Sequence, residues 1–427
     1  MKIVGLITEY NPFHNGHLYH IEKAKEITGA DSVIVVMSGN YVQRGAPAIM
    51  PKHLRAEIAL EAGVDILMEL PVCYAVGSAE YFAAGAIDLF ERLGCVDSIC
   101  FGSECGDYGL LARVAHILAD EPEGYRQSLK QALKNGMSFP LARQKALKEY
   151  LQDESLDLVL EQPNNILGIE YIKALYQRKS PMKSYTIKRM VSGYHDTSLT
   201  GSYSSASAIR RLLSFSSQSV LLEKDGMFDE PSMSEVLGRL EGQVPPSCIR
   251  LLEETHHSRY PVYPNDFSLL LKYRLLTETR ESLTKYLDIS EDLANRIINN
   301  ANDFISFDQF SDQLKTREMT LSRICRCLFH ILLNIRKEDL LTYKEQGYCQ
   351  YARILGFRKD ARRLFSLLKN SSQVPLVTKL TQTGNLSSAG LSMLKTDIFA
   401  ANLYESIITN KYKMPFINEY QQQILRI

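Results

Sequence analysis

The 427-residue sequence has no tryptophan, and none of its eight cysteines belongs to a Cys-x-x-Cys pair. Cysteines scattered in this way argue against a zinc site and favour reduced thiols in the cytosol. No apolar run is long enough to span a bilayer, and the Met1-Lys2 start leads into a strand pattern rather than a signal peptide. We therefore expect a cytoplasmic protein with no membrane association and no metal held by its own side chains.

A net charge is also missing, because 49 Lys and Arg balance 49 Asp and Glu. Composition alone therefore predicts no nucleic-acid partner, and such binding would need a local patch. Residues 311–370 provide one, with 13 Lys and Arg against 6 Asp and Glu. A solvated helical face explains any single basic cluster, but two clusters favour contact with a phosphate backbone. The candidate nucleic-acid contacts are Arg323, Arg326 and His330, spaced for one helix face, and Arg358, Lys359, Arg362 and Arg363.

Apolar strand patterns alternate with amphipathic helix patterns over the first 110 residues or so. This alternation predicts parallel βαβ units in a doubly wound, Rossmann-like α/β sheet. Helical patterns dominate from residue 266, and the segment 216–260 is rich in Ser, Glu and Pro. We expect an α/β catalytic domain over 1–215 and a mostly α-helical domain over 216–427, with 216–265 as a possible connecting segment. The predicted strands are 3–7, 32–37, 65–70, 97–101 and 183–190.

The stretch 8–17, Thr-Glu-Tyr-Asn-Pro-Phe-His-Asn-Gly-His, lies between the first strand and a predicted helix over 18–27. Ligands of open α/β sheets bind outside the carboxyl ends of the strands. His14 and His17 are three residues apart, so their rings share a face near the positive end of the helix dipole, and Gly16 leaves room for a phosphate. Donors there would stabilise the charge that develops when a nucleotide is attacked at its α-phosphate. In the alternative, one histidine caps the helix and the other packs in the core.

Residues 7–20 resemble the His-x-Gly-His signature of the HUP-type nucleotidyltransferase superfamily. The longer string Glu-Tyr-Asn-Pro-Phe-His-Asn-Gly-His is similar to that of the bacterial tRNA(Met) cytidine acetate ligases, and the likeness weakens toward the C-terminus. The resemblance implies that ATP, accompanied by Mg²⁺, activates acetate as acetyl-adenylate with release of pyrophosphate. It also implies transfer of the acetyl group to the N4 amine of the wobble cytidine of elongator tRNA(Met), which gives N4-acetylcytidine.

The resemblance also assigns roles to individual residues. His14, His17 and Arg44 are expected to be catalytic or substrate-side residues, although Arg44 alone is equally compatible with a surface loop arginine. Asn165 is expected to contact ATP, with Asn164 as the capping or supporting residue. The implied ATP contacts are Ile7, Thr8, Glu9, Tyr10, Asn11, Pro12, Phe13, His14, Asn15, Gly16, His17, Leu18, Tyr19, His20, Gly102, Asn165, Arg189, Ser205 and Ser207.

Ser204-Ser205-Ala206-Ser207 opens a predicted helix where related adenylyltransferases carry Ser-Ser-Thr. In those enzymes the hydroxyls cradle the β- and γ-phosphates, so the alanine here implies a weaker or rearranged phosphate grip. Plain helix capping is the alternative.

Two other functions remain open. One is a small-molecule adenylyltransferase acting on a nucleotide or on pantetheine phosphate, against which the long segment beyond a compact domain counts. The other is a non-catalytic RNA-binding protein that retains an ATP fold, against which the intact His14, Gly16, His17 and Arg189 count. The sequence does not determine acyl selectivity, the choice of one tRNA, oligomeric state or protein partners.

Overall fold

A central, mostly parallel sheet organises the computed structural model, which describes residues 1–153, 156–189, 205–215 and 233–427. Five strands pair in parallel in the order β5-β2-β1-β6-β7. The strands are β1 (Ile3–Thr8), β2 (Ser32–Ser38), β3 (Tyr41–Val42), β4 (Ala46–Pro47), β5 (Ile66–Leu70), β6 (Ser98–Ser103), β7 (Lys183–Lys188), β8 (Ala352–Phe357), β9 (Leu376–Val377) and β10 (Leu425–Arg426). The predicted doubly wound α/β architecture is confirmed.

Both faces of the sheet are covered by helices. Along β2, Val33 and Val35 belong to one hydrophobic core, whereas Ile34 and Val36 belong to the other. Successive side chains of a strand point to opposite faces, so a strand covered on both sides must be apolar at every position. This is why the central strands β1 and β2 are continuous apolar runs rather than alternating patterns.

The helices surround the sheet and dominate the later part of the chain. α1 begins at Asn15, three residues before the predicted start, because His14 caps it. The helices are α1 (Asn15–Thr28), α2 (Lys52–Glu61), α3 (Val72–Ala75), α4 (Ala79–Leu93), α5 (Tyr108–Asp120), α6 (Glu123–Lys134), α7 (Phe139–Leu151), α8 (Leu156–Leu160), α9 (Pro163–Gln177), α10 (Ala206–Phe215), α11 (Met233–Leu240), α12 (Pro246–Thr255), α13 (Ser268–Thr277), α14 (Arg280–Leu283), α15 (Glu291–Asn300), α16 (Phe307–Leu314), α17 (Leu321–Leu333), α18 (Lys337–Glu345), α19 (Arg362–Ser371) and α20 (Ser388–Tyr412). Among the described residues, no helix combines the length and apolarity needed to cross a membrane.

The C-terminal region adds strands to the same sheet, which the sequence analysis did not predict. β8 pairs antiparallel with β5, and both β9 and β10 pair with β8. Helices of this region also share a core with the sheet, since Tyr41 packs against Phe267, Phe329 and Tyr404. The division at 215/216 stays a prediction, but any domain boundary there leaves the later strands hydrogen-bonded to the first domain's sheet.

A buried ionic network reinforces this connection. Lys52 Nζ lies 2.7 Å from an oxygen of Glu69 and 2.7 Å from an oxygen of Glu419. Arg353, on β8, lies 2.5 Å from Glu419 and 3.4 Å from Glu69. All four side chains are at most 6% exposed, so each charge depends on its partners for solvation.

Candidate active site

A cleft of about 430 Å³ opens at the carboxyl ends of β1 and β6. The strand order reverses between these two strands, which is where ligands bind in open α/β sheets. The cleft has the size of a small-molecule site. The predicted site residues that line it are Ile7, Thr8, Glu9, His14, Gly16, His17, Tyr19, His20, Arg44, Gly102, Arg189, Ser205 and Ser207.

His14 and His17 cap the N-terminus of α1 and stack on each other. The Gly16 N–H donates to Nδ1 of His14 at 3.0 Å, and the His14 N–H donates to Nδ1 of His17 at 3.2 Å. The ring centroids are 3.8 Å apart. Because each Nδ1 accepts a hydrogen bond, each neutral imidazole carries its proton on Nε2. Helix capping uses the Nδ1 atoms, and the Nε2–H groups of the same rings remain for a ligand. The sequence analysis treated capping and phosphate binding as alternatives, but one histidine can do both.

The imidazoles in the cleft are held neutral. Burial, together with the charges of Arg189 and Arg210, lowers the pKa of His14 to about 3. Burial and the neighbouring His14 and Arg189 place the pKa of His17 well below its usual value, and burial and Arg189 lower that of His20 to about 4. At neutral pH these rings donate through N–H groups and are poor proton acceptors.

Arg210 is a site residue that the sequence analysis missed. It lies on α10, where Nη1 donates to the Asn11 carbonyl at 2.6 Å and Nη2 donates to the Ser207 hydroxyl at 3.1 Å. Arg189 follows β7, and a Cβ on Gly102 would stand only 3.2 Å from its Cγ. Both guanidinium groups border the cleft near the histidine pair. The available signal was the position of Arg210 three residues after Ser207, on the same helix face.

Several predicted ATP contacts lie behind the cleft rather than on it. Tyr10 and Phe13 are buried and pack against the His17 ring at centroid distances of 4.9 Å and 5.5 Å. Asn11 accepts a hydrogen bond from the Ile49 N–H at 2.8 Å. Tyr10, Phe13 and Asn11 therefore support the site, and the other predicted ATP contacts that do not line the cleft are Pro12, Asn15 and Leu18.

The two asparagines at the start of α9 differ in their exposure to the cleft. Asn165 is 1% exposed, and its Oδ1 accepts the N–H groups of Glu104 and Cys105 at 2.9 and 3.1 Å. Asn164 lines the cleft instead, with Nδ2 donating to Glu104 at 2.6 Å. Asn165 therefore holds the turn after β6, and the expectation that it contacts ATP does not fit its position.

The serines at the start of α10 combine capping with a position on the cleft. Ser205 Oγ accepts the Ala208 N–H at 3.1 Å, and Ser207 contacts Arg210. Ser204 and Met190, together with residues 216–232 of the possible connecting segment, lie outside the described residues. Cleft residues that the sequence did not identify also include Gln43, Phe82, Tyr171, Lys188 and Ser322.

The first predicted tRNA cluster is only partly exposed. His330 is fully buried, with its ring nitrogens 2.9 Å from the carbonyls of Leu287 and Val76, so its assignment as a surface tRNA contact is wrong. Arg323 and Arg326 lie on the first two turns of α17, whose Ser322 lines the cleft. This cluster is therefore reduced to two partly buried arginines on the helix that carries Ser322.

The second predicted tRNA cluster lies at the opposite end of the strands from the cleft, near the start of β5. β8 runs antiparallel to β5, so its last residue, Phe357, pairs with the first residue of β5, Ile66. Arg358 follows there, paired with Asp360 at 2.5 Å, while Lys359, Arg362 and Arg363 are exposed. A six-residue strand spans about 20 Å, so this cluster is about that far from the cleft.

The fold and the histidine site define a nucleotidyltransferase. The family model described as HIGH Nucleotidyl Transferase matches residues 1–419. Curated tRNA(Met) cytidine acetate ligases of Acetivibrio thermocellus and Alkaliphilus metalliredigens are 40% and 38% identical, over 100% and 96% of this chain and 100% and 95% of theirs. The chain belongs to the tRNA(Met) cytidine acetate ligase family.

Solved structures of the Thermotoga maritima protein TmcAL agree with this family. The apo form matches with a TM-score of 0.90 at 33% identity, and each chain is covered completely. A form of that protein bound with alpha-thio ATP matches with a TM-score of 0.87 at 32% identity, again over both whole chains. The likeness therefore extends beyond the α/β part to the helical C-terminal region.

Proposed function

We propose that this protein is an ATP-dependent ligase that acetylates the wobble cytidine of elongator tRNA(Met). The observation that carries the proposal is the pair of neutral imidazoles, His14 and His17, whose Nδ1 atoms are used in capping and whose Nε2–H groups remain for a ligand. The relatives named for this reaction, and the ATP analogue bound to TmcAL, support it.

The first half-reaction activates acetate. The imidazole N–H groups, with Arg189 and Arg210, face an anion at the N-terminus of α1, where the helix dipole adds positive potential. Attack of an acetate oxygen on the α-phosphate breaks the bond to the β-phosphate and releases pyrophosphate. These donors stabilise the additional negative charge of the transition state. Arg44, at the rim of the cleft, is a cation suited to the acetate carboxylate.

Mg²⁺ would enter with ATP and neutralise part of the triphosphate charge. Among the described residues no three His, Cys, Asp or Glu side chains cluster to hold a metal ion, and Glu9 is the one carboxylate lining the cleft. Mg²⁺ usually retains waters and binds substrate phosphates with one or two carboxylates. We therefore expect phosphates and water to hold it, and the prediction of no protein-built metal site stays open.

The second half-reaction transfers the acetyl group to tRNA. A base in an anticodon loop is unpaired, which lowers the cost of presenting it to the cleft. Arg323 and Arg326, on the helix whose Ser322 lines the cleft, suit the phosphates of the anticodon loop. The cluster of Arg358, Lys359, Arg362 and Arg363 lies too far away for that loop and suits a more distant part of the tRNA.

The decisive experiment is mass analysis of tRNA(Met) nucleosides after incubation with ATP and isotopically labelled acetate. We expect label in cytidine at the wobble position, with one AMP and one pyrophosphate formed per acetyl group. Pyrophosphate release without labelled tRNA would contradict the proposal and favour a small-molecule adenylyltransferase.

The role of the histidines is tested by acetate-dependent exchange of labelled pyrophosphate into ATP. His14→Ala combined with His17→Ala should abolish the exchange while tRNA binding is retained. His116→Ala, a histidine on the exposed side of α5, is the matched control and should exchange normally. Exchange in the double variant would refute the proposed role.

A further inference from the structure

The cleft has a second end, at which Glu9 is the only one of the implied ATP contacts that carries a carboxylate. Gly102 and Arg189, after β6 and β7, lie on one side of the histidine pair. Glu9, Gln43 and Arg44 lie on the other side, after β1 and in the β3–β4 hairpin that follows β2. Since β2 and β6 flank β1 on opposite sides, these two sets of residues face different ends of the same cleft.

Aromatic side chains also line the cleft, and one of them, Tyr171, is near enough to Glu9 for the carboxylate charge to affect its pKa. Phe82 and Phe101 are 2% and 4% exposed, and the Phe101 ring centroid is 5.7 Å from that of Tyr171. Within the described part of the chain the Tyr171 hydroxyl has no hydrogen-bond partner. Burial, and then the charge of Glu9, raise its pKa, so the hydroxyl remains a donor. Aromatic walls with one hydroxyl donor suit a planar heterocycle that presents an acceptor.

Glu9 is fixed in place by its neighbours. The Gln43 N–H donates to Oε1 of Glu9 at 2.8 Å, and the buried Arg55 guanidinium donates to the Glu9 carbonyl. One carboxylate oxygen thus remains for a ligand. The neutral His14 and His17 are poor proton acceptors, so Glu9 is the group of the cleft, among the described residues, suited to accept a proton.

We propose that Glu9 recognises the exocyclic amine of the target cytosine and accepts its proton during acetyl transfer, while Tyr171 and Phe82 line the pocket for the base. This inference rests on the proposed function. The N4 lone pair attacks the acetyl carbonyl carbon of acetyl-adenylate, and the bond to the phosphate oxygen breaks with its electron pair leaving on AMP. The N4 proton passes to the Glu9 carboxylate and then to water.

The same contact selects the base. Cytosine presents an N4–H₂ donor that a carboxylate accepts, whereas uracil presents a carbonyl acceptor at the same position. A carboxylate facing that carbonyl would leave both groups without a donor. Glu9 therefore discriminates against uridine as well as serving the reaction.

The variant Glu9→Gln distinguishes proton acceptance and base recognition by Glu9 from a structural role in accepting the Gln43 N–H. The glutamine carbonyl can still accept the Gln43 N–H, but the variant loses the carboxylate. We expect acetyl transfer from preformed acetyl-adenylate to tRNA(Met) to fall about 100-fold or more, and acetate-dependent pyrophosphate exchange to fall far less. Glu80→Gln, which changes an exposed carboxylate on α4, is the matched control.

Binding provides a second measurement. Wild-type protein should bind tRNA(Met) about tenfold or more tightly than the same tRNA with uridine at the wobble position. Glu9→Gln should reduce this ratio, because an amide both accepts and donates, and Tyr171→Phe should weaken both complexes.

The possible outcomes are distinct. Equal losses of exchange and transfer in Glu9→Gln would show that Glu9 acts on ATP, and unchanged transfer would show that it does not accept the proton. Either result overturns the inference and leaves the proposed function intact. If wild-type protein acetylates no tRNA, the proposed function itself fails.

Discussion

Replacing His14 by asparagine tests whether this imidazole is held neutral in the folded protein. The ordinary pKa of 6.5 applies to the unfolded chain, and the folded value is about 3. As the pH falls below 6.5, the unfolded chain takes up a proton that the folded protein does not, so the free energy of unfolding decreases. Between pH 7.5 and 5.5 this single group should remove about 1.4 kcal/mol of stability.

The asparagine variant isolates that contribution. Asparagine is a favoured N-cap residue and can accept the Gly16 N–H in place of the imidazole, but it does not titrate. Other groups titrate alike in both proteins and cancel in the difference between their unfolding free energies. The stability advantage of the wild type, measured at pH 7.5, should therefore shrink by about 1.4 kcal/mol at pH 5.5.

Urea unfolding at the two pH values provides the measurement. Far-UV circular dichroism is the suitable signal because the chain contains no tryptophan. A stability difference that is the same at pH 7.5 and pH 5.5 would mean that His14 titrates equally in both states. In that case the ring would not be held neutral by burial, and the argument for two neutral donors at the phosphate site would fail.

Three further perturbations test other parts of the molecule. Gly102→Ala should raise the KM for ATP several-fold by displacing Arg189. An unchanged KM would show that Arg189 does not bind the nucleotide. Glu419→Gln should lower the free energy of unfolding by about 3 kcal/mol, because Lys52 and Arg353 lose a buried anionic partner. Urea unfolding measures this loss, and a much smaller value would contradict the argument. Neutralising the distant basic cluster should weaken tRNA binding and reduce its dependence on salt, whereas unchanged binding would identify a merely solvated surface. The residues of that cluster are Arg358, Lys359, Arg362 and Arg363.

The α/β part of the fold could be predicted because its central strands β1 and β2 are separate apolar runs that alternate with helix patterns. β8 could not, because Arg353 and Gly356 interrupt its apolar character within six residues. Arg353 is tolerated inside the sheet only because Glu69 and Glu419, distant in sequence, neutralise it. A pairing that depends on such distant partners leaves no local pattern.

The site shows the same distinction between local and distant information. The histidine pair was predictable because one short motif contains the strand end, the helix start and both rings. The positions of Asn164 and Asn165 relative to the cleft were not predictable, because they depend on where α9 begins, at Pro163, and helix starts are poorly fixed by sequence.

His330 illustrates an error that the sequence could have prevented. Its spacing from Arg323 and Arg326 suggested a shared helix face, yet it stands between Phe329 and Ile331 in an apolar run. Its ring lies within 2.9 Å of the carbonyls of Leu287 and Val76, and a hydrogen bond from the ring N–H to one of them helps this histidine to be buried. Periodicity identifies neighbours on a helix but does not identify which face meets solvent.

The position of α17 connects the helical region to the chemistry. A Cβ at Gly45 would overlap the backbone of Cys325 and Arg326, so the hairpin that carries Arg44 packs directly against the backbone of this helix. Ser322, on the same helix, lines the cleft. A tRNA bound by Arg323 and Arg326 would therefore contact α17, the helix that also contributes Ser322 to the cleft. On the proposed function, catalysis and tRNA binding therefore both depend on the packing of the β3–β4 hairpin against α17.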